Sequence, residues 1–243
     1  MVRRLAVIVS LHIAEASARD AVALLLAPPR RVNLPGLVYA ETLTTAPLGE
    51  PLLPPRRLDR IGLLAAWEEE TALDAFLAED PIARRLAAGW HVRLQPLRIS
   101  GAWAELAGLP AEPLAVQDDE PVGVLTLGRL RLRRTGAFRD SAGPAEAAAL
   151  ASPALLAGIG LARPPRLVAT FTLWHSAAAM RTYAYESGAP HVAAMAAHRA
   201  DPFHREAAFI RFRPYGSHGS WDGRDPLAEA SAVMPGGGFA NPS

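Results

Sequence analysis

The feature of this sequence that most restricts its fold is an internal repeat. In each half, apolar runs separated by Pro- and Gly-rich breaks predict the order strand, helix, strand, strand, helix, strand, with the second helix broken near Pro81 in the first half and a new helical piece starting at Pro190 in the second. Trp67 and Trp174 occupy matching positions 107 residues apart, and Trp103 and Trp221 match at a spacing of 118 residues. The difference of 11 residues places an insertion in the second half, in a segment that carries three of the seven histidines.

The repeat predicts both the fold class and the domain layout. Each half is expected to form a ferredoxin-like βαββαβ unit, an antiparallel four-stranded sheet with helices on one face. Because the bare sheet faces must be buried, packing them together predicts a fused pseudo-dimeric α+β barrel with a ligand pocket between helix and sheet. We expect an N-terminal repeat at residues 1–110, a C-terminal repeat with the ligand site at 118–225, and a flexible tail at 226–243.

Missing residue types exclude several chemistries. The chain has no cysteine, which excludes thiolate nucleophiles, disulfides, iron–sulfur clusters and thiolate-ligated haem. It has no lysine, which excludes Schiff-base chemistry and a Walker-type phosphate loop. A net charge of +1 gives no reason to expect a nucleic-acid partner. No apolar run approaches the roughly 20 residues of a transmembrane helix, so we expect a cytoplasmic protein whose first apolar run is a buried strand.

One face of a short helix in the insertion carries candidate metal ligands. His191, Met195 and His198 are spaced four and three residues apart, which places them on one helical face. Ile82 stands at the position of His191 in the first half, so the histidine is not needed for packing alone. A neutral imidazole beside an apolar pocket suits axial ligation of haem iron. Two alternatives stay open: a solvated histidine, or a non-haem metal held by His191, His198 and His204, whose spacing matches no familiar signature.

Arginines near this helix are candidates for binding the carboxylates of a cofactor, because a planar guanidinium pairs well with a carboxylate. Arg181 and Arg213 have no basic counterpart in the first half, and Arg199 directly follows His198. Arg211 matches Arg93. We therefore expect each of these arginines to form an equivalent structural ion pair with an acid of its own half.

Aromatic residues concentrate in the second half, where most are expected in the core. Strand alternation places Phe171 and Trp174 on opposite sheet faces, so at most one of that pair lines a given pocket. The residues expected to bind substrate are Trp174, Phe171, Tyr183, Phe203 and Phe209.

A set of short motifs in the second half is similar to a known family. A strand ends in Trp174-x-Ser176, a helix reads Ala-Met-x-x-Tyr-Ala-Tyr, His191 follows, and a Phe209-x-Arg-Phe strand leads to Gly-x-Trp221. This combination resembles the C-terminal part of the spheroidene monooxygenase family, clearly over the last half of the chain and only in layout over the first.

The resemblance implies a haem b oxygenase that introduces a carbonyl into acyclic carotenoids by successive hydroxylation with dioxygen. His191 would be the axial ligand of the iron. The substrate would be a hydrophobic small molecule, carotenoid-like or aromatic. Since the sequence has no glycine-rich nucleotide motif, electrons would come from a ferredoxin or a small reductant. A homo-oligomer is compatible with this family.

Three other functions remain open at this point. The chain could be a haem or small-ligand binding protein without turnover, a haem-dependent dehydratase, or a cofactor-free oxygenase of the same barrel type. An absorption spectrum separates the cofactor-free oxygenase from the haem proteins. Substrate-dependent oxygen consumption separates an oxygenase from a carrier.

Overall fold

The computed structural model describes residues 7–50, 58–110, 113–185 and 190–232, without the side chains of residues 190, 191, 198–200, 231 and 232. The first half contains strands β1 (Ile8–Glu15), β2 (Leu37–Pro47), β3 (Arg60–Trp67) and β4 (Trp90–Gly101), and helices α1 (Ala18–Leu26), α2 (Glu70–Glu79) and α3 (Pro81–Leu86). The second half contains strands β5 (Val122–Leu130), β6 (Leu155–Arg163), β7 (Leu167–Trp174) and β8 (His204–Gly219), and helices α4 (Thr135–Leu150), α5 (Ala177–Tyr185), α6 (Pro190–Ala200) and α7 (Pro226–Ala232).

The eight strands form a closed antiparallel barrel in the order β4-β1-β3-β2-β6-β7-β5-β8. Each half contributes four neighbouring strands. Read from β4 in the first half and from β8 in the second, they are the fourth, first, third and second strands of that half. β2 pairs with β6, and β4 pairs with β8, to join the halves. The predicted mixed α+β fold with an antiparallel barrel is therefore confirmed.

Strand alternation fills the barrel interior with apolar side chains from both halves. Full burial of each such side chain stabilises the fold by about 2 kcal/mol. Among the most deeply buried are Leu11, Leu43, Leu94, Leu127, Leu161, Phe171 and Phe212. The helices lie outside the barrel, so each half also has an outer sheet face that is covered by helices.

Local signals in the sequence explain several helix ends. Ser17 caps α1, since its Oγ accepts a hydrogen bond from the Asp20 backbone N–H at 3.1 Å. α3 and α6 both begin at a proline, as predicted, because proline tolerates the first helical position. The helix pairs α2–α3 and α5–α6 thus reproduce the predicted breaks. No helix in the described ranges combines the length and the apolar character needed to cross a membrane.

The start of α4 was predicted wrongly. The sequence predicts a strand to Arg133 and a helix from Pro144, but β5 ends at Leu130 and α4 already begins at Thr135. Pro144 lies inside the helix. The helix accommodates it because α4 buries only Ala145 and Ala149, so a carbonyl without a helical partner can be solvated.

The expectation of a flexible tail from residue 226 is also wrong in its first part. Residues 226–232 form α7, and the Leu227 backbone N–H donates to Asp225 Oδ1 at 3.1 Å. Trp90 Nε1 donates to the same carboxylate at 3.0 Å. Leu227 and Ala230 are buried, so apolar packing orders a segment whose small-residue composition predicts coil. Residues 233–243 of the predicted tail lie outside the described residues.

Candidate functional site

The outer sheet face of the first half is filled by side chains. One row across three strands consists of Thr42, Leu63 and His12, and each is at most 2% exposed. The ring of Phe76 on α2 packs edge-on against His12 with 5.9 Å between ring centroids, and also contacts Trp67. This face has no room for a ligand.

At the three matching positions of the second half, the same row carries smaller side chains, and a fourth strand adds Phe209. Gly160 on β6, Thr170 on β7, Thr126 on β5 and Phe209 on β8 are directly opposite one another in the ladder. Thr170 takes the place of Leu63 and is half-buried, as are Thr126 and Phe209. This row and the neighbouring Arg211 are named the C-terminal outer face below.

The helices over this face are arranged differently from those of the first half. α3 lies directly against β1, whereas among the described residues α6 packs mainly against α4 and α5 and contacts no strand as extensively. The apolar cluster beneath the helices is correspondingly small, built around Val122, Ala149, Trp174, Ala177 and Met180. The second half therefore has a sheet face that its own side chains fill only in part.

Trp174 and Tyr183 form an aromatic wall beside the C-terminal outer face. Their rings stack at 4.7 Å, and the Tyr183 hydroxyl donates to the Ala145 carbonyl oxygen at 2.9 Å. Burial, reinforced by the nearby carboxylate of Glu146, raises the pKa of Tyr183 to about 12. The phenol therefore stays protonated and keeps α5 attached to α4 at physiological pH.

Phe171, predicted to bind substrate, lies in the barrel interior and is fully buried. Trp174 lies on the outer side of the same strand, so the predicted division of this pair between two faces is confirmed. The sheet separates Phe171 from the C-terminal outer face.

His204 and Phe203 occupy the other end of this sheet face. Phe203 and Phe138 pack against the His204 imidazole with ring centroids 4.8 Å and 5.4 Å away. The ring lies over Gly128, where any Cβ would collide with it. Glycine at position 128 is therefore required for an imidazole to rest on the sheet. Phe138 was missed by the sequence analysis because its helix was predicted to begin six residues later.

The predicted iron ligand lies in α6, which begins at Pro190. The side chains of His191, His198 and Arg199 lie outside the described residues, so their roles remain predictions. Met195, on the same helix, is half-buried. Among the described side chains, no group of three or more His, Asp or Glu residues is arranged to hold a metal ion.

Arg181 and Arg213, predicted to bind cofactor carboxylates, both have protein partners. Arg181 forms an ion pair with Asp118. Arg213 Nε donates to Glu120 Oε2 at 2.9 Å, and its other nitrogens bind Gln95 and the Ala115 carbonyl. These bonds attach the loop before β5 to the middle of α5 and to β8, so both arginines have a structural contact.

Among the described residues, the ion pair that was expected for both Arg93 and Arg211 is formed by Arg93 alone. Arg93 binds Glu70 at 2.7 Å and Asp74 at 2.6 Å. Within the described part of the chain, no carboxylate oxygen lies within 4 Å of the Arg211 guanidinium.

A separate cleft lies at the end of the barrel where β1, β2 and β6 meet, with a volume of about 830 Å³. Among the described residues, its lining includes Glu15, Asp59 and Asp222, with Arg60 as the one cation, which is already paired with Asp222. Surplus negative charge and polar walls disfavour an apolar or anionic ligand there. Chemistry, rather than size, therefore favours the C-terminal outer face.

No protein-family model matches the chain. It is 33% identical over 198 residues to the spheroidene monooxygenase of Rubrivivax gelatinosus, an alignment that covers 78% of this chain and 73% of that protein. It is 29% identical over 180 residues to the spheroidene monooxygenase of Cereibacter sphaeroides, covering 71% of this chain and 55% of that protein. The chain thus spans about half the length of this second relative.

The fold is similar to that of an aldoxime dehydratase in complex with butyraldoxime. The TM-score is 0.54 at 8% sequence identity, covering 93% of this chain and 86% of that chain. At this identity, the similarity concerns the fold alone.

Proposed function

The chain belongs to the spheroidene monooxygenase family, and we propose that it is a haem-dependent monooxygenase that oxidises a hydrophobic small molecule. The carotenoid named in its relatives makes an acyclic carotenoid the first substrate to test. The proposal includes a repeat origin for the barrel, as a fused pseudo-dimer. The identical strand order of the two halves supports that origin.

The observation that carries the proposal is the unequal filling of the two outer faces. Leu63 and His12 fill the outer face of the first half. At the same ladder positions, Thr170 and Thr126 leave the outer face of the second half only partly filled beneath three helices. A flat apolar group fits such a face, because it would bury the exposed sheet surface that the threonines leave. The residues present therefore fit a porphyrin.

The residues that would hold haem b come from the second half of the chain. His191, in the first turn of α6, would provide a neutral imidazole to the iron. Trp174, Tyr183 and Phe209 would supply an apolar wall along the macrocycle and keep water away from it. When bound, haem iron supplies the redox chemistry by which dioxygen is activated. The electron donor would be a ferredoxin or a small reductant.

The choice of ligand can be tested with two histidines of the same helix. Purified protein reconstituted with hemin should show a Soret band at one equivalent, and His191→Ala should lose that band. His198→Ala, on the same helix, is the matched control and should retain it. Circular dichroism of both variants checks that the fold is intact. Loss of the band in His198→Ala alone would assign the iron to the other histidine.

The proposed activity is tested by following oxygen consumption in the reconstituted protein, with spheroidene as substrate and a reduced ferredoxin as donor. Consumption that depends on both substrate and haem supports a monooxygenase. Stoichiometric haem binding without turnover would instead indicate a carrier. Substrate loss without oxygen uptake would indicate a dehydratase, and turnover without haem would indicate a cofactor-free oxygenase.

A further inference from the structure

The strongest unexplained feature of the C-terminal outer face is an arginine, Arg211, that has no acidic partner among the residues that the structure describes. We infer that Arg211 binds a propionate of the haem, at the position where the first half uses two carboxylates of its own. This inference rests on the proposed function, because it requires a porphyrin on this face.

The first half shows what an arginine at this place in the fold requires. Arg93 lies on β4, and its guanidinium reaches Glu70 at 2.7 Å and Asp74 at 2.6 Å, both on α2. The arginine side chain is 23% exposed. A partly buried guanidinium is thus matched by two acids from the helix above it, which offset the cost of its desolvation.

The second half keeps the arginine and loses both acids. Arg211 has the same spacing of 118 residues from Arg93 that relates the later strands. At the spacing of 107 residues that relates α2 to α5, Ala177 stands in place of Glu70 and Arg181 in place of Asp74. The helix above Arg211 therefore offers a methyl group and a second cation instead of two carboxylates.

Neighbouring charges do not compensate for this loss. Arg98 on β4 is directly opposite Arg211 in the β4–β8 ladder, and like charges at such positions are destabilising. Of the three acids in the adjoining loop, Asp118 is engaged with Arg181 and Glu120 with Arg213, and the third, Asp119, is exposed and forms no described ion pair with Arg211. Arg211 is half-buried. Among the described residues, the face thus holds uncompensated positive charge next to its least filled part.

A haem propionate has the chemistry that this position lacks. A guanidinium fork binds a carboxylate through two parallel N–H···O bonds, and such bonds are stronger than those between neutral groups. The macrocycle would cover the row of Thr126, Thr170 and Gly160, while the propionate edge would face the next row of the ladder, in which Arg211 lies. One ligand would then cover the incompletely filled row and neutralise the charge of the next one.

The test compares hemin with hemin dimethyl ester, in which both propionates are blocked. Apoprotein is titrated with each porphyrin, and the dissociation constants are read from the Soret band. Wild-type protein should prefer hemin, and Arg211→Gln should weaken hemin binding on the order of tenfold while leaving the ester unaffected. The preference should also shrink at high salt, because screening weakens an exposed ion pair.

Arg213→Gln is the matched control, because it removes a positive charge two residues further along the same strand. That guanidinium is already bound to Glu120, so the hemin preference should remain. Equal weakening in both variants would indicate a general charge effect and overturn the assignment, as would an unchanged hemin-to-ester ratio in Arg211→Gln. Wild-type protein that binds neither porphyrin would overturn the proposed function, and this inference with it.

Discussion

Lowering the pH from 8 to 5 should destabilise the fold in part through the buried imidazole of His12. His12 is 2% exposed, and its Nε2 lies 3.0 Å from Ser10 Oγ. Trp67 Nε1 donates to the same hydroxyl oxygen at 3.0 Å, so the Ser10 hydroxyl links the indole and the imidazole in one buried hydrogen-bonded cluster.

Burial, reinforced by the nearby positive charges of His91 and Arg93, lowers the pKa of His12 from 6.5 to about 3. Its folded pKa is below the unfolded value, so the unfolded chain takes up the proton first. The contribution of His12 to stability is therefore fully present above pH 6.5 and falls by about 1.4 kcal/mol per pH unit below it. At pH 5 the loss amounts to about 2 kcal/mol.

Urea unfolding of wild-type protein and His12→Leu at pH 8, 6.5 and 5 measures this contribution. Surface carboxylates titrate in both proteins, so their effect cancels in the difference between the two unfolding free energies. Between pH 8 and pH 5, the unfolding free energy of the wild type should fall by about 2 kcal/mol more than that of His12→Leu. Parallel pH profiles for the two proteins would refute the assignment of the acid sensitivity to His12.

Two further predictions concern the backbone and the filling of the outer faces. Gly219→Ala should lower the unfolding free energy by at least about 1 kcal/mol more than Gly223→Ala does. Both glycines have positive φ, but of the two only Gly219 lies where an added Cβ would collide with backbone, at the Gly89 carbonyl oxygen. Comparable losses in chemical denaturation would contradict this. Leu63→Ala should cost about 2 to 5 kcal/mol and Thr170→Ala about 1 kcal/mol or less, because only the first leaves a cavity in packed surroundings. Equal shifts in thermal unfolding would show that both faces are packed alike.

The barrel was predictable from the sequence because its evidence is redundant. Trp67 and Trp174 end equivalent strands, and the two helix breaks at Pro81 and Pro190 fall at equivalent places. Alternating apolar residues then leave only one economical way to bury both sheets. The start of α4 was not predictable in this way, because Pro144 ordinarily ends or begins a helix and only low burial of the surrounding turns allows it inside one.

The candidate site was predictable only in part. Comparing single positions shows that Arg93 and Arg211 match, which indicates an ion pair common to both halves. The signal that reverses this conclusion is also in the sequence, since Ala177 replaces Glu70 and Arg181 replaces Asp74. It becomes visible only when the structure identifies α2 as the source of the acids. An ion pair can be inferred in both halves only when the arginine and its acidic partners are compared together.

The central claim is that haem binds on the C-terminal outer face, and filling that face tests it most directly. Hemin titration of Thr170→Leu, which restores the size of its counterpart Leu63, should show strongly reduced affinity at unchanged thermal stability. Thr170→Ala, which enlarges the space, should bind one equivalent as the wild type does. Wild-type affinity in Thr170→Leu, or a wild-type protein that stays colourless with hemin, would contradict the claim.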